Sequence, residues 1–170
     1  MMESTEVVAA EIRDLIVNTQ TMSLATLNSE GVPEASMASF IYEATSRLFY
    51  TAVSMLSPHA AHLAAKKPTG IMIIEDEHSA PQVLGRKRVS YTCDVHEIFR
   101  ESESCHLLYE QFTTKFGGIM EVLFELPDFH VFCLRPISGR YIAGFGKAYT
   151  LKGDVIAPIG PDEIRKAAGS

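Results

Sequence analysis

Two periodicities divide this chain. From Glu3 to Thr19, Val8, Ile12, Leu15 and Ile16 fall on one helical face with acids between them, which predicts an amphipathic helix packed over a barrel opening. From Met22 the period drops to two. Met22, Leu24 and Thr26 alternate with Ser23, Ala25 and Leu27, Asn28–Gly31 supplies a turn, and Val32–Tyr42 returns as a second strand. Glu43–Ser46 turns again into a third strand, Arg47–Val53. Ser57 suits a helix N-cap and Pro58 the first helical position, while Pro68 ends that short helix. Gly70–Glu75 is an apolar strand, and Val89–Phe99 puts Val89, Tyr91, Cys93, Val95 and Glu97 on one face. Glu101–Leu126 returns to helical spacing, with Gly117-Gly118 predicted to kink or split it.

The last patterned stretch is PDFHVFCLRPISGRYIAGFGKAYTL, Pro127 to Leu151. Phe129, Val131 and Cys133 alternate with His130, Phe132 and Leu134, so a strand begins there. Pro136-Ile137-Ser138-Gly139 carries turn chemistry, and Arg140–Leu151 reads as the return strand, with a bulge at Gly144-Phe145-Gly146. Past Gly153, Pro158, Gly160 and Pro161 predict irregular chain up to Asp162. The sum is mainly β: an antiparallel barrel of six or seven strands with helices, as one domain over residues 1–170. Within it, 1–19 is the first helix, 21–152 the barrel with helices near 57–67 and 101–126, and 153–170 the tail.

Composition narrows the function classes. A formal net charge of −6 argues against a protein that coats nucleic acid. No apolar run has the length to cross a bilayer, and MMESTE is no signal peptide. Cys93, Cys105 and Cys133 show no paired spacing and read as buried, reduced thiols, which points to the cytoplasm. No nucleophile elbow, phosphate loop or dinucleotide fingerprint is present.

Three clusters carry candidate chemistry. Ser57–His62 opens a helix, where free N–H groups can meet an anion beside His59 and His62; a capped surface helix with solvated histidines reads equally well. Arg86, Lys87 and Arg88 can clamp phosphate or carboxylate, or simply guard an edge strand with charge. Asp128, with His130 two residues on, is either a site carboxylate or a strand-entry residue bonding nearby backbone.

The pattern "DF…L.P..GR.I.GFG.AY" resembles the end of the HugZ/HutZ haem-utilisation proteins, split β-barrels related to the FMN-binding pyridoxamine-phosphate-oxidase family. The resemblance runs from about Thr21 to Lys152. It implies a homodimer with pockets between subunits, beside the reading from charge and hydropathy of no nucleic-acid or membrane partner. Haem is the implied cofactor and FMN the alternative, the latter in an oxidoreductase. It also implies that His59 stands where flavin-binding relatives often carry a phosphate-holding Lys, that Arg86, Lys87 and Arg88 face acidic cofactor groups, and that Asp128 orients the proximal haem histidine. The family's tail histidine, in an "HRK" ending, is replaced here by Ile164, and no histidine follows His130. A third possibility is a non-enzymatic ligand-binding dimer.

Overall fold

The computed structural model describes residues 4–160; Ile164 lies outside the described residues. Helix α1 (Thr5–Val17) begins where Ser4 Oγ accepts the Val7 N–H, and it buries Val8, Ile12 and Ile16. Burying each of these is worth about 1.5–3 kcal/mol. Strand β1 (Thr21–Leu27) alternates as the sequence predicts, its even positions buried. The second predicted strand is two, β2 (Pro33–Ser39) and β3 (Ile41–Glu43), broken at buried Phe40.

Strand β4 (Leu48–Ser54) leads into α2 (Pro58–Ala64), which has Pro58 at its start as expected. β5 (Thr69–Ile74) and the long β6 (Arg88–Ile98) follow. The predicted late helix is split at Gly117-Gly118 into α3 (Glu103–Phe116) and α4 (Ile119–Glu125), Gly117 taking φ +84, a value that favours glycine. β7 (Phe129–Gly144), β8 (Lys147–Lys152) and β9 (Val155–Pro158) complete the sheet.

Among the described residues, nine antiparallel strands form one sheet along the path β2-β1-β5-β6-β7-β4-β3, with β8 on β7 and β9 on β8. The path is not closed by a ladder between its ends. Instead the Thr51 hydroxyl, on β4, donates to the Ser39 carbonyl of β2 at 2.8 Å, which leaves the barrel split. The inner face gathers Phe49, Val53, Val89, Val95, Phe132 and Leu134 with Ile12 of α1 and Leu63 of α2. The outer face of β3, β4 and β7 carries a second core, where Ile41, Ala52 and Val131 meet Phe112, Met120 and Phe124 of α3 and α4. Both faces of β7 are therefore buried at its start, and Val131 through Leu134 are all buried.

Three features differ from the sequence reading. The predicted turn at Pro136–Gly139 is continuous strand: β7 runs 16 residues, pairing with β6 and, from Gly139, with β8. Pro136-Ile137 forms a bulge instead, since Thr92 faces Ser138 while Cys93 faces Pro136 and Ile137 has no opposite number. The chain reverses at Phe145-Gly146, where the sequence predicts a bulge, with Gly146 at φ +72. The tail predicted to be irregular supplies β9, which with the division of the second predicted strand into β2 and β3 makes nine strands among the described residues where six or seven were expected.

Candidate functional site

The three predicted clusters fall at two places. β6 spans eleven residues, about 33–37 Å of extended chain. Arg88 at one end faces Ile142, whereas Ile98 at the other faces Val131 near the Asp128 turn. Arg86, Lys87 and Arg88 therefore sit at one end of the β6–β7 strand pair, and Asp128 and His130 at the opposite end. A single ligand cannot reach both from one chain.

At the first end, the cations are engaged within the chain. Arg86 donates through Nε and Nη2 to the Glu75 carbonyl, at 2.8 and 2.6 Å, and Nη1 lies 3.6 Å from the Glu77 carboxylate. Lys87 donates its backbone N–H to Glu75 Oε2 at 3.1 Å and its ammonium to Glu11 Oε1 at 2.8 Å. Tyr141, fully buried, donates its hydroxyl to Glu11 Oε2 at 3.1 Å. Glu11 thus straps α1 to β6 and β7. Arg88 donates Nη1 to the Arg86 carbonyl at 3.1 Å. Arg86 and Lys87 line a cavity of about 750 Å³ whose other charged groups, Glu11, Asp14, Glu75 and Asp76, are all acidic. Within one subunit this groove does not suit propionates or a phosphate. Sequence reasoning found the cations but missed the acids that hold them.

At the second end, Asp128 organises a junction. Ser54 Oγ, at the end of β4, donates to Asp128 Oδ2 at 2.5 Å and accepts the Leu56 N–H at 3.1 Å. The Met55 N–H donates to the Asp128 carbonyl at 2.8 Å. Asp128 is thereby coupled, through Ser54, to the entrance of the helix that carries His59. Its Oδ1 accepts no hydrogen bond among the described residues. Arg100 steadies the same turn from beneath, donating to the carbonyls of Leu126 at 2.8 Å and Phe129 at 3.1 Å, and to that of Phe124. Ser54 and Arg100 carried no signal in the sequence; only the fold places them here.

Three imidazoles belong to this end of the barrel and its covering helix. Burial, with neighbouring His62 second, lowers the His59 pKa below its ordinary value, so the ring is neutral near pH 7 and brings no charge to an anion. His62 Nδ1 shares a 2.9 Å hydrogen bond with the buried Thr26 hydroxyl. His130 Nδ1 lies 2.5 Å from Glu97 Oε1, a carboxylate contact that orients the ring and leaves Nε2 as its other nitrogen. No group of three or more metal-ligating side chains occurs among the described residues. The thiols are inert by burial, which pushes Cys93 up to about 12 and raises Cys105 and Cys133. No helix among the described residues is long and apolar enough to cross a membrane.

The architecture and sequence match known proteins. The family model for pyridoxamine 5'-phosphate oxidase matches residues 8–143. Over 144 residues the chain is 33% identical to heme oxygenase HutZ of Vibrio cholerae, covering 85% of this chain and 81% of that protein. The crystal structure of HutZ, described as a heme storage protein, superposes with a TM-score of 0.69 at 31% identity, across 75% of this chain and 88% of that one. Campylobacter jejuni ChuZ superposes with a TM-score of 0.85 at 27% identity, across 94% of this chain and 65% of that one. Matched over most of its length by the family model and by HutZ, this chain belongs to the pyridoxamine 5'-phosphate oxidase family, as a split barrel of the HugZ/HutZ type.

Proposed function

We propose that this chain is a cytoplasmic, homodimeric haem-binding protein of the HutZ type, with its pocket completed by a second copy. The observation that carries the reading is the Asp128 junction: a carboxylate fixed by Ser54 on one oxygen, with the other open to accept a further hydrogen bond. The separation of Asp128 from Arg88 along β6 and β7 supports a two-subunit pocket, because only a second chain can bring an opposite end alongside. With Ile164 at the family's tail position, the iron donor must come from elsewhere. His130, whose Nδ1 is oriented by Glu97, offers Nε2 for that role. Arg88 is the cation of its cluster best placed for a propionate, since Arg86 and Lys87 are engaged by Glu75 and Glu11.

Haem, when bound, supplies the iron and the redox chemistry. The chain's own residues would hold it: His130, its ring oriented by Glu97, would donate a lone pair, Asp128 would accept a hydrogen bond on its open oxygen, and Arg88 would meet negative charge. The relative's name, heme oxygenase, extends the proposal from binding to turnover. FMN, which the family admits, is the alternative cofactor.

The test is an absorption titration of the purified protein with haem, paired with light scattering. A saturable Soret band at one haem per subunit of a dimer, weakened in Asp128→Ala and shifted in position in His130→Ala, is the expected result. Bleaching of that band with a reductant and O₂ tests turnover. A flavin spectrum in the protein as purified, with only non-saturating haem uptake, would overturn the haem reading in favour of FMN.

A further inference from the structure

Away from the Asp128 junction, a cavity of about 610 Å³ opens between the first half of α1, the β3–β4 turn and the bulged stretch of β7. Its floor is aromatic. The ring centroids of Tyr42 and Phe49 lie 4.7 Å apart, and those of Phe49 and Tyr91 5.8 Å. Two irregularities of β7 build the wall. The extra residue at Ile137 brings Arg135 and Ser138 to the lining, as bulges beside binding sites commonly do. Gly139 has no side chain, and the Tyr91 ring occupies the space a Cβ there would fill, 2.5 Å from its Cδ1.

The rim runs against the overall charge of the protein. It carries Arg13, Arg47 and Arg135 against Glu6 and Asp154, in a chain of net charge −6. Arg47 is engaged by Asp154 at 2.7 Å and by the Gly153 carbonyl at 3.0 Å. Arg13 and Arg135 make no hydrogen bond or ion pair among the described residues. Burial raises the Tyr42 and Tyr91 phenols, outweighing the lowering by nearby arginines, so both hydroxyls remain donors.

We propose that this cavity binds a planar aromatic carboxylate, its ring against the half-buried Tyr42 and Tyr91, which pack over buried Phe49, and its carboxylate held by Arg13 and Arg135. The volume falls in the range of small-molecule pockets, about 300–1,000 Å³. The Tyr42 and Tyr91 rings are tilted, their planes 39° and 46° from that of Phe49, and offer an aromatic ligand face and edge contacts, while guanidinium forks match a carboxylate in geometry as well as charge. None of His59, Arg88, Asp128 and His130 lines the cavity, so the site stands whether or not haem binds elsewhere.

The test is an NMR titration of the isotope-labelled full chain with naphthoate, using naphthol as the uncharged comparator with the same ring. The expected result is saturable amide shifts centred on Tyr42, Arg47, Tyr91 and Arg135–Ser138, with naphthol bound about tenfold or more weakly. The Arg13→Gln/Arg135→Gln double variant should lose about tenfold or more in affinity. Both arginines are exposed, so the fold should survive. If the pair does not fold, Arg135→Gln alone must lose about threefold or more. Shifts that fail to saturate, shifts centred elsewhere, equal naphthol binding or unchanged affinity in the variants would each overturn the proposal.

Discussion

Gly139→Ala isolates the role of the continuous β7 strand. A Cβ at this position would lie 2.5 Å from Tyr91 Cδ1, 2.6 Å from the Ser90 carbonyl oxygen and 2.9 Å from Tyr91 Cε1. The ring could rotate away at the expense of its contact with Phe49. The Ser90 carbonyl is backbone in the β6 ladder and cannot. Overpacking a filled interior costs about 1–3 kcal/mol, and a backbone clash belongs at the upper end, about 3 kcal/mol. For a chain of this length each kcal/mol moves the melting temperature by about 2–4 °C, so the variant should melt about 6–12 °C lower. The same chemical change at Gly118 is the control. There an added Cβ meets nothing within 4 Å, and φ −62, ψ −15 are ordinary helical values. Gly118→Ala should change stability by less than about 1 kcal/mol. Thermal melts followed by circular dichroism measure both. If Gly139→Ala melts within about 2 °C of the parent, the close packing of β7 on β6 at this point is refuted.

Two further perturbations probe the ends of the barrel. Glu11→Gln removes the charge that binds Lys87 and also receives Tyr141, in a half-buried setting, and should cost about 1–2 kcal/mol in urea unfolding, less at high salt; a loss indifferent to salt sinks the ion-pair account. His59 titrates against stability. Its folded pKa is lowered, chiefly by burial, so as pH falls the unfolded chain binds the proton first and the folded state loses stability from about pH 6.5 down to the lower folded value. His59→Gln should therefore gain on the parent at about pH 5 relative to about pH 7.5, and an equal difference at both would contradict the burial argument.

The hydrophobic pattern by itself determined most of the elements. α1, β1, β5 and β6 follow from periodicities of residues that each bury one side against a single partner layer, and such burial is written into the local sequence; the start of β7, buried on both faces, was legible as an unbroken apolar run after His130. The split at Gly117-Gly118 was legible for a similar reason, since one residue's backbone freedom decides it. Pro136–Gly139 was not legible. Proline and glycine favour a turn when judged locally, but the same residues also suit a bulge and a close strand approach. Which one forms depends on β6 and β8 pairing from either side, with Tyr91 packed over Gly139. Gly144-Phe145-Gly146 is the converse, turn chemistry that pairing promoted to the actual reversal.

The site divides the same way. Asp128 and the Arg86–Arg88 cations were visible as residue types, because charge at a strand entrance stands out in sequence. Their partners were not. Ser54 lies 74 positions from Asp128, and Glu11 lies 76 from Lys87. Hydrogen bonds and ion pairs act over about 3 Å whatever the sequence distance, so only the tertiary fold could leave Asp128 open on one oxygen while engaging Arg86 and Lys87 inside the chain.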